Sequence, residues 1–385
     1  MHQVQTCLTR TRRFRWSGPA LVAITAAVSL AACGSSSNSS SSSAATSSSA
    51  GTTSAGATSA AGTSTGAGTS ASGGASGVKK GLKVFVIPKQ LGNNYFTVAD
   101  SVHTGGALAA VQELGSTGSE TSGNAATSAS QLPAIQAAIA KGANVLIVSA
   151  TDPTALCPTL KQAMARGITV VTYDSDAPTC RDLFINQAST AAIGTSEVDL
   201  LAKEVHDQGQ IGIVSAAASA PNQNAWIGYM KKELHKYPKM SLASIVYGND
   251  DPTTATQVTS GLLQHFPKLA GIISPTTVGI AAAAGVLDTS QYRGKVQLTG
   301  LGTPLSMKKF VKDGTVQAFE LWDPAKLGYL AAYAGIELAS KKLSATPGQT
   351  FTAGKLGSFK ILPDKSVLLG PPQVFNKANI DKFNF

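Results

Sequence analysis

The segment 144–189 limits the fold of this chain more than any other part of the sequence. It contains two short apolar runs, 145–148 and 168–173, which are rich in β-branched residues and too short for helices. A helical pattern over 155–165 lies between them and stops before Gly167. Strand, helix and strand in this order predict one βαβ unit of a parallel sheet.

Asp174 directly follows the second predicted strand of this unit. Open α/β sheets bind their ligands in the crevice outside the carboxyl ends of the strands. Asp174 is therefore the first candidate ligand-binding residue.

The alternation of strand and helix patterns continues through the rest of the chain after residue 81. It predicts an α/β protein with two Rossmann-like lobes, each with a parallel sheet, and a small-molecule site in the cleft between them. The segment 98–114 is expected to form a single helix. The segment 115–130 is rich in Ser, Gly and Thr, so only a short edge strand is expected there.

The amino-terminal segment 1–33 has the pattern of a secretory signal peptide. Arginines precede an apolar segment, 20–32, that is too short for an ordinary membrane span. These arginines are Arg10, Arg12, Arg13 and Arg15. The residues Leu30-Ala31-Ala32-Cys33 resemble the lipobox of bacterial lipoproteins, in which the cysteine is lipidated. We expect a lipid anchor at Cys33, which would hold the protein at the extracytoplasmic face of the cell membrane.

Residues 34–80 are mostly Ser, Ala, Gly and Thr and are expected to form a disordered tether. The net charge of the 385-residue chain is +10. Part of it lies in the signal segment, and the remaining lysines are scattered without an aromatic-rich basic helix. The sequence therefore predicts no nucleic-acid partner.

Two of the four cysteines are expected to remain in the folded part of the chain. Cys7 lies in the signal segment and Cys33 is the predicted lipidation site, which leaves Cys157 and Cys180. An even remainder outside the cytoplasm favours a disulfide between them, and two free buried thiols are the alternative.

No pattern in the sequence indicates catalysis. The five histidines show no metal-ligand spacing, and no nucleophile elbow, P-loop or dinucleotide fingerprint follows a predicted strand. Asp250-Asp251 is interpreted as a surface turn. We therefore expect no enzyme activity, no cofactor and no metal.

An ordered set of short segments resembles one protein family, the type I solute-binding proteins of ABC importers. The resemblance is to the branch of the autoinducer-2-binding and rhamnose-binding proteins, and it covers the chain after the tether. The matching segments are Ile87-Pro88-Lys89, 144–150, 155–158, 172–176, Ile185-Asn186-Gln187, Asn222-Gln223-Asn224, 300–304, Leu321-Trp322-Asp323 and 374–377.

This resemblance implies two lobes joined by three crossover segments that act as a hinge. The first lobe would comprise 81–184 and 324–343, and the second 187–321 and 344–385. The crossovers would lie near 185–187, near 322–323 and after residue 342.

The resemblance also implies ligand contacts on the first lobe. Lys89 matches a lysine that binds ligand hydroxyls, and Asp174 matches the family's ligand-binding aspartate. Tyr95 and Phe96 match aromatic residues that pack on a sugar ring, although a core role at the start of a helix is the alternative. Asn93 would supply a polar contact.

The contacts implied on the second lobe depart from the relatives at two positions. Asn222 and Gln223 stand where the autoinducer-2 proteins have an aspartate and a glutamine. Pro275 matches the family, whereas Thr277 replaces an alanine. Trp322 and Asp323 either touch the ligand or only form the hinge.

The resemblance implies an extracytoplasmic solute-binding protein, expected to be monomeric, that closes on a ligand and delivers it to an ABC permease. The implied ligand is a small sugar or polyol similar to rhamnose, a pentose or autoinducer-2. The alternative is a sensory lipoprotein of the same fold that reports a sugar or quorum signal to a membrane receptor.

Overall fold

The computed structural model describes residues 77–385. The predicted signal peptide, the lipidation site Cys33 and the tether up to residue 76 lie outside the described residues. Val78 is buried in the core, and the amide of Lys79 donates to Ser340 Oγ at 2.9 Å. The folded part therefore begins before residue 81, which corrects the predicted end of the tether. No helix within 77–385 combines the length and the apolarity that crossing a membrane requires.

Strands and helices alternate along most of this range, as predicted. The strands are β1 (Lys83–Ile87), β2 (Thr117–Glu120), β3 (Val145–Val148), β4 (Thr169–Tyr173), β5 (Leu183–Asn186), β6 (Gln208–Ser215), β7 (Lys239–Tyr247), β8 (Leu269–Ser274), β9 (Gln297–Gly300), β10 (Ala318–Leu321), β11 (Thr350–Thr352), β12 (Ser358–Lys360), β13 (Ser366–Leu368) and β14 (Gln373–Asn376). The helices are α1 (Asn94–Asp100), α2 (Ala107–Glu113), α3 (Ser128–Ala140), α4 (Pro153–Ala165), α5 (Thr190–Glu204), α6 (Pro221–Glu233), α7 (Pro252–His265), α8 (Thr277–Asp288), α9 (Pro304–Lys312) and α10 (Pro324–Ala339).

The first lobe is a six-stranded parallel sheet in the order β13-β5-β4-β3-β1-β2, with α1 to α4 and α10 packed on it. Alternate residues of its strands point to opposite faces. Val84 and Val86 belong to the core shared with α2 and α10, whereas Phe85 and Ile87 belong to the core shared with α3 and α4. The predicted short edge strand is present as β2, whose four residues are all exposed.

The predicted βαβ unit is confirmed as β3, α4 and β4. Asp152 caps α4 by accepting bonds from the amides of Thr154 and Ala155, and Pro153 occupies the first helical turn. The disulfide between Cys157 and Cys180 is also present, with Sγ atoms 2.08 Å apart. It joins α4 to the loop that follows β4. Closing a loop of this length stabilises a fold by about 3 kcal/mol in the chain-entropy model.

The second lobe contains the parallel sheet β7-β6-β8-β9 with α5 to α9. Two strand glycines allow helices to approach its opposite faces closely. A Cβ on Gly271 would lie 2.7 Å from Leu201 of α5, and a Cβ on Gly212 would lie 2.6 Å from Leu262 of α7. The sheet is extended by β10, which meets β9 through a bridge at Leu301 and pairs with β14 in antiparallel fashion.

Three connections join the lobes. They lie between β5 and α5, between β10 and α10, and between β13 and β14. The first two fall at the predicted positions 185–187 and 322–323. The tail is divided, because β13 pairs with β5 in the first sheet while β14 pairs with β10 in the second. This pairing corrects the prediction that 344–385 belongs wholly to the second lobe.

The prediction of a single helix over 98–114 is wrong. Helices α1 and α2 are separated by 101–106, where Gly105 has a φ of +78° and the Thr104 hydroxyl donates to Val98 O at 2.6 Å. The interruption turns the chain so that both short helices pack on α10. A Cβ on Gly328 of α10 would lie only 1.9 Å from Ala99 O, so glycine is required at this contact.

Two buried carboxyl groups of the second lobe, Glu197 and Glu320, lie between α5 and β10, and the half-buried Glu204 lies at the end of α5. Glu197 and Glu320 are at most 1% exposed, and neither oxygen of Glu197 has a hydrogen-bond partner among the described residues. Glu320 accepts a bond from Ser196 Oγ at 2.6 Å. Burial raises the pKa of Glu320 to about 7, that of Glu204 to about 8, and that of Glu197 well above its ordinary value.

These raised pKa values predict that the protein loses stability as the pH rises. The unfolded chain releases these protons near pH 4.5, whereas the folded protein holds them up to about pH 7–8. The stabilisation is therefore complete below pH 4.5 and is lost progressively up to about pH 8. The free energy of unfolding, measured with urea between pH 5 and pH 8, should decline less for Glu320→Gln than for wild type.

An exposed acid provides the control for this experiment. Asp207→Asn should show the same decline with pH as wild type, because Asp207 lies at the surface. If the free energy of unfolding declines equally with pH in wild type and in Glu320→Gln, the raised pKa of Glu320 is contradicted.

Candidate functional site

Residues that follow the carboxyl ends of strands in both sheets line one narrow cavity between the lobes. Its free volume is about 40 Å³, well below the roughly 300 Å³ of an ordinary small-molecule pocket. The lining residues are Lys89, Asn93, Tyr95, Phe96, Asp174, Asn222, Gln223, Trp226, Asp250, Pro275, Thr276, Thr277, Leu301, Leu321 and Trp322.

A hydrogen-bonded polar group crosses the cleft at Lys89. Its ammonium lies 3.5 Å from Asp174 Oδ2 on its own lobe and donates to Asn222 Oδ1 on the second lobe at 3.2 Å. Asn222 in turn donates from Nδ2 to the backbone oxygen of Asp174 at 3.4 Å. Lys89 and Asp174 are only 4% and 5% exposed, so little water competes for these bonds.

The backbone around Asp174 aims its carboxylate into the cavity. Asp174 has a φ of +60°, a left-handed conformation that aspartate tolerates better than most residues. Its Oδ2 accepts a bond from Ser149 Oγ at 2.7 Å. The loop beyond it is held by Asp176, whose carboxylate bonds Arg181 at 2.7 and 2.9 Å. This loop also carries Cys180 of the disulfide.

Four buried aromatic side chains form the apolar wall of the cavity. The ring of Tyr95 meets Phe96 and Trp322 edge to face, with centroids 5.1 and 6.1 Å apart. Trp226 lies 6.1 Å from Trp322. The indole of Trp322 donates to the Tyr95 hydroxyl at 2.8 Å. Burial and the Asp174 carboxylate raise the pKa of Tyr95, so its hydroxyl remains protonated.

The second lobe contributes the first turns of two helices. Asn222 and Gln223 lie in the first turn of α6, and Thr277 is the first residue of α8, directly after Pro275 and Thr276. Gln223 is 4% exposed, and its Oε1 has no hydrogen-bond partner among the described residues. That carbonyl oxygen is available to accept a hydrogen bond from a ligand.

Asp323 is the predicted site residue that the structure places outside the cavity. Its carboxylate caps α10 by accepting a bond from the amide of Lys326 at 3.2 Å. It therefore belongs to the crossover, whereas Trp322 lines the cavity. The other predicted ligand-binding residues all line it, and their role as ligand contacts stays a prediction. Asn93 has a second role, because its Oδ1 caps α1 through the amide of Tyr95.

The interpretation of Asp250-Asp251 as a surface turn is wrong for Asp250. This residue is 7% exposed, lines the cavity and accepts a hydrogen bond from the Thr276 hydroxyl on Oδ1. Asp251 is exposed and caps α7. Asp250 lies between β7 and α7, so the rule that selected Asp174 from its place after a strand would also have selected it.

Four further lining residues were not predicted from the sequence. Trp226 lies one helical turn after Asn222, and helical spacing indicates that the two share a face. Thr276 follows β8, so its place after a strand could have indicated it as a site residue. Leu301 and Leu321 carry no polar group and could not be distinguished from core residues.

Several direct contacts join the lobes across the cleft. Besides the bond from Lys89 to Asn222, Gln90 donates from Nε2 to the backbone oxygen of Asp250 at 3.0 Å, and Ser175 donates to Asn222 Oδ1 at 3.5 Å. The structure therefore represents a closed conformation, which accounts for the small cavity.

The site is equipped to bind a neutral ligand rich in hydroxyl groups. Carboxylate and amide oxygens accept hydrogen bonds, the lysine donates them, and aromatic rings cover the apolar face. Within 77–385 no group of three or more acidic, His or Cys side chains is arranged to hold a metal ion.

Comparison with known proteins identifies the family. Residues 84–343 match the family model of the periplasmic binding protein domain. A solved structure of a sugar ABC transporter protein from Actinomyces odontolyticus is 46% identical, with a TM-score of 0.62, over 79% of this chain and 98% of that chain.

Two further structures resemble this chain over 79% of its length. An ABC transporter solute-binding protein from Clostridium phytofermentas with bound L-rhamnose is 33% identical, with a TM-score of 0.76 over 98% of that chain. LsrB from Clostridium saccharobutylicum in complex with AI-2 is 25% identical, with a TM-score of 0.73 over the whole of that chain. The predicted fold class is confirmed, and the chain belongs to the family of the periplasmic binding protein domain.

Proposed function

We propose that the protein is an extracytoplasmic solute-binding protein that captures a small sugar or sugar-like polyol and delivers it to an ABC permease. The observation that carries the proposal is the convergence of Lys89, Asp174, Asn222 and Gln223 beside an aromatic wall in one cavity between the lobes. Relatives with bound L-rhamnose and AI-2 support this class of ligand.

Each polar group has a role suited to a polyol. Lys89 donates to ring or hydroxyl oxygens, and Asp174 and Gln223 accept bonds from hydroxyl hydrogens. The aromatic wall, which includes Tyr95 and Trp226, covers the apolar C–H face of the ring. Because Lys89, Asp174 and Gln223 are buried, little water competes for these hydrogen bonds.

Ligand capture proceeds by closure of the lobes about the three connections. In the open form the two lobes present separate halves of the site. A bound sugar bridges them, so its hydroxyl groups replace direct contacts such as the one between Lys89 and Asn222. The ligand binds the closed form more tightly because both lobes contact it there, and this difference shifts the equilibrium towards closure.

A thermal-shift screen tests this function. L-rhamnose, D-ribose, D-xylose, D-arabinose and autoinducer-2 are the ligands to compare, and at least one should raise the melting temperature. Asp174→Asn should weaken the binding of that ligand about 10- to 150-fold, because a hydrogen bond to a charged group contributes about 1.5–3 kcal/mol. Asparagine also tolerates the left-handed backbone at this position.

Asp207→Asn is the control, because it removes a carboxylate at the surface. The proposal fails if none of these compounds stabilises the wild-type protein. It also fails at this site if Asp174→Asn binds the ligand as tightly as wild type.

The same proposal places the protein at the outer face of the membrane through lipid on Cys33. Cys33→Ser should therefore move the protein from the membrane fraction to the soluble fraction of the cell envelope or the medium, as shown by immunoblotting after fractionation. Retention of the variant in the membrane fraction would exclude this anchor.

A further inference from the structure

Asp250 places a second carboxylate in the cavity, opposite the one on the first lobe. It is the only carboxylate that the second lobe contributes to the lining within 77–385, since its neighbours Asn222 and Gln223 carry uncharged amides. The Thr276 hydroxyl holds Oδ1, and this bond leaves Oδ2 as a further acceptor.

The loop that carries Asp250 is unusual in its backbone. Asn249 and Asp250 have φ angles of +56° and +50°, so two consecutive non-glycine residues are left-handed. Such conformations are costly and persist where the surroundings enforce them, often at ligand sites. Bonds within the second lobe hold this turn, since the amide of Asn249 donates to Ala216 O at 2.9 Å and the amide of Asp251 donates to Gly248 O at 3.0 Å. From the opposite lobe, Gln90 donates to the Asp250 backbone oxygen at 3.0 Å. The carboxylate and the interlobe contact thus belong to one residue.

The charges around the cavity do not balance. Lys89 contributes one positive charge, whereas Asp174 and Asp250 contribute two negative charges, a formal sum of −1. Burial raises the pKa of Asp250, while Lys89 and the Thr276 hydroxyl favour its ionised form. A ligand with its own carboxylate would add a third negative charge beside these buried groups, where electrostatic repulsion is poorly screened.

We propose that Asp250 is the ligand-binding carboxylate of the second lobe and that, together with Asp174, it makes the site selective for neutral polyols over sugar acids. The inference rests on the proposed function and specifies its ligand class. Asp250 accepts a hydroxyl hydrogen bond in the closed form, when Gln90 also contacts its backbone.

Isothermal titration of the full chain at pH 7 tests this inference. The probes are L-rhamnose and L-rhamnonate, its aldonic acid, or the best sugar of the thermal-shift screen and its aldonic acid. Asp250→Asn should weaken binding of the sugar at least 10-fold. It should also reduce the ratio of the acid's Kd to the sugar's Kd at least 10-fold, which loss of packing alone would not do.

Asp251→Asn is the matched control. It removes the same charge from the next residue, which does not line the cavity, and asparagine can still cap α7. Both Kd values should stay within twofold of wild type. Circular dichroism verifies folding, and Asp250→Ser provides a second variant without the carboxylate if Asp250→Asn does not fold.

The possible outcomes are distinct. Wild-type affinity and selectivity in a folded Asp250 variant overturn this inference and leave the proposed function intact. Absence of sugar binding by the wild-type protein overturns the proposed function and this inference with it.

Discussion

The closed site depends on one buried ammonium group. Lys89 lies beside Asp174 of its own lobe and donates to Asn222 of the other, so a single side chain connects both halves of the cavity. A buried cation is tolerated only with partners of this kind. The partners are supplied because parallel strands end at the same edge of each sheet, and the two edges face each other. Under the proposed function a bound polyol takes over contacts of this kind, which links recognition to closure.

Two buried carboxyl groups of the second lobe lie in elements next to its connections with the first lobe. Glu320 directly precedes Leu321 and Trp322, which line the cavity and lead into α10. Glu197 lies on α5, the helix that follows the first connection. Their carboxyl groups are buried with raised pKa values, so the stability of the second lobe next to its hinge depends on their protonation. In the first lobe, a disulfide and the ion pair between Asp176 and Arg181 hold the loop that follows β4 and carries Asp174.

The fold and the site were predictable from the sequence where the local residue pattern and the chain topology agree. The unit formed by β3, α4 and β4 and the position of Asp174 follow from local pattern and strand ends. The disulfide was favoured by the cysteine count and the expected compartment, with two free thiols as the alternative. Prediction failed where a contact with a part of the chain distant in sequence determines the structure. Nothing local shows that β13 adds to the first sheet beside β5, or that α10 requires α1 and α2 to be separate helices. Asp250 was missed for a different reason. It follows a strand as Asp174 does, but the pair Asp250-Asp251 was interpreted as a surface turn.

Under the proposed function, a sugar draws the two lobes together. This closure is tested most directly by the distance between spin labels at Asn124 and Thr256, exposed residues that line a groove between the lobes. Labels introduced without cysteine chemistry leave the disulfide intact. Double electron–electron resonance should show a longer distance without sugar and a shorter one at saturating L-rhamnose or the best sugar of the screen. Tight binding of that sugar with an unchanged distance distribution would contradict the account.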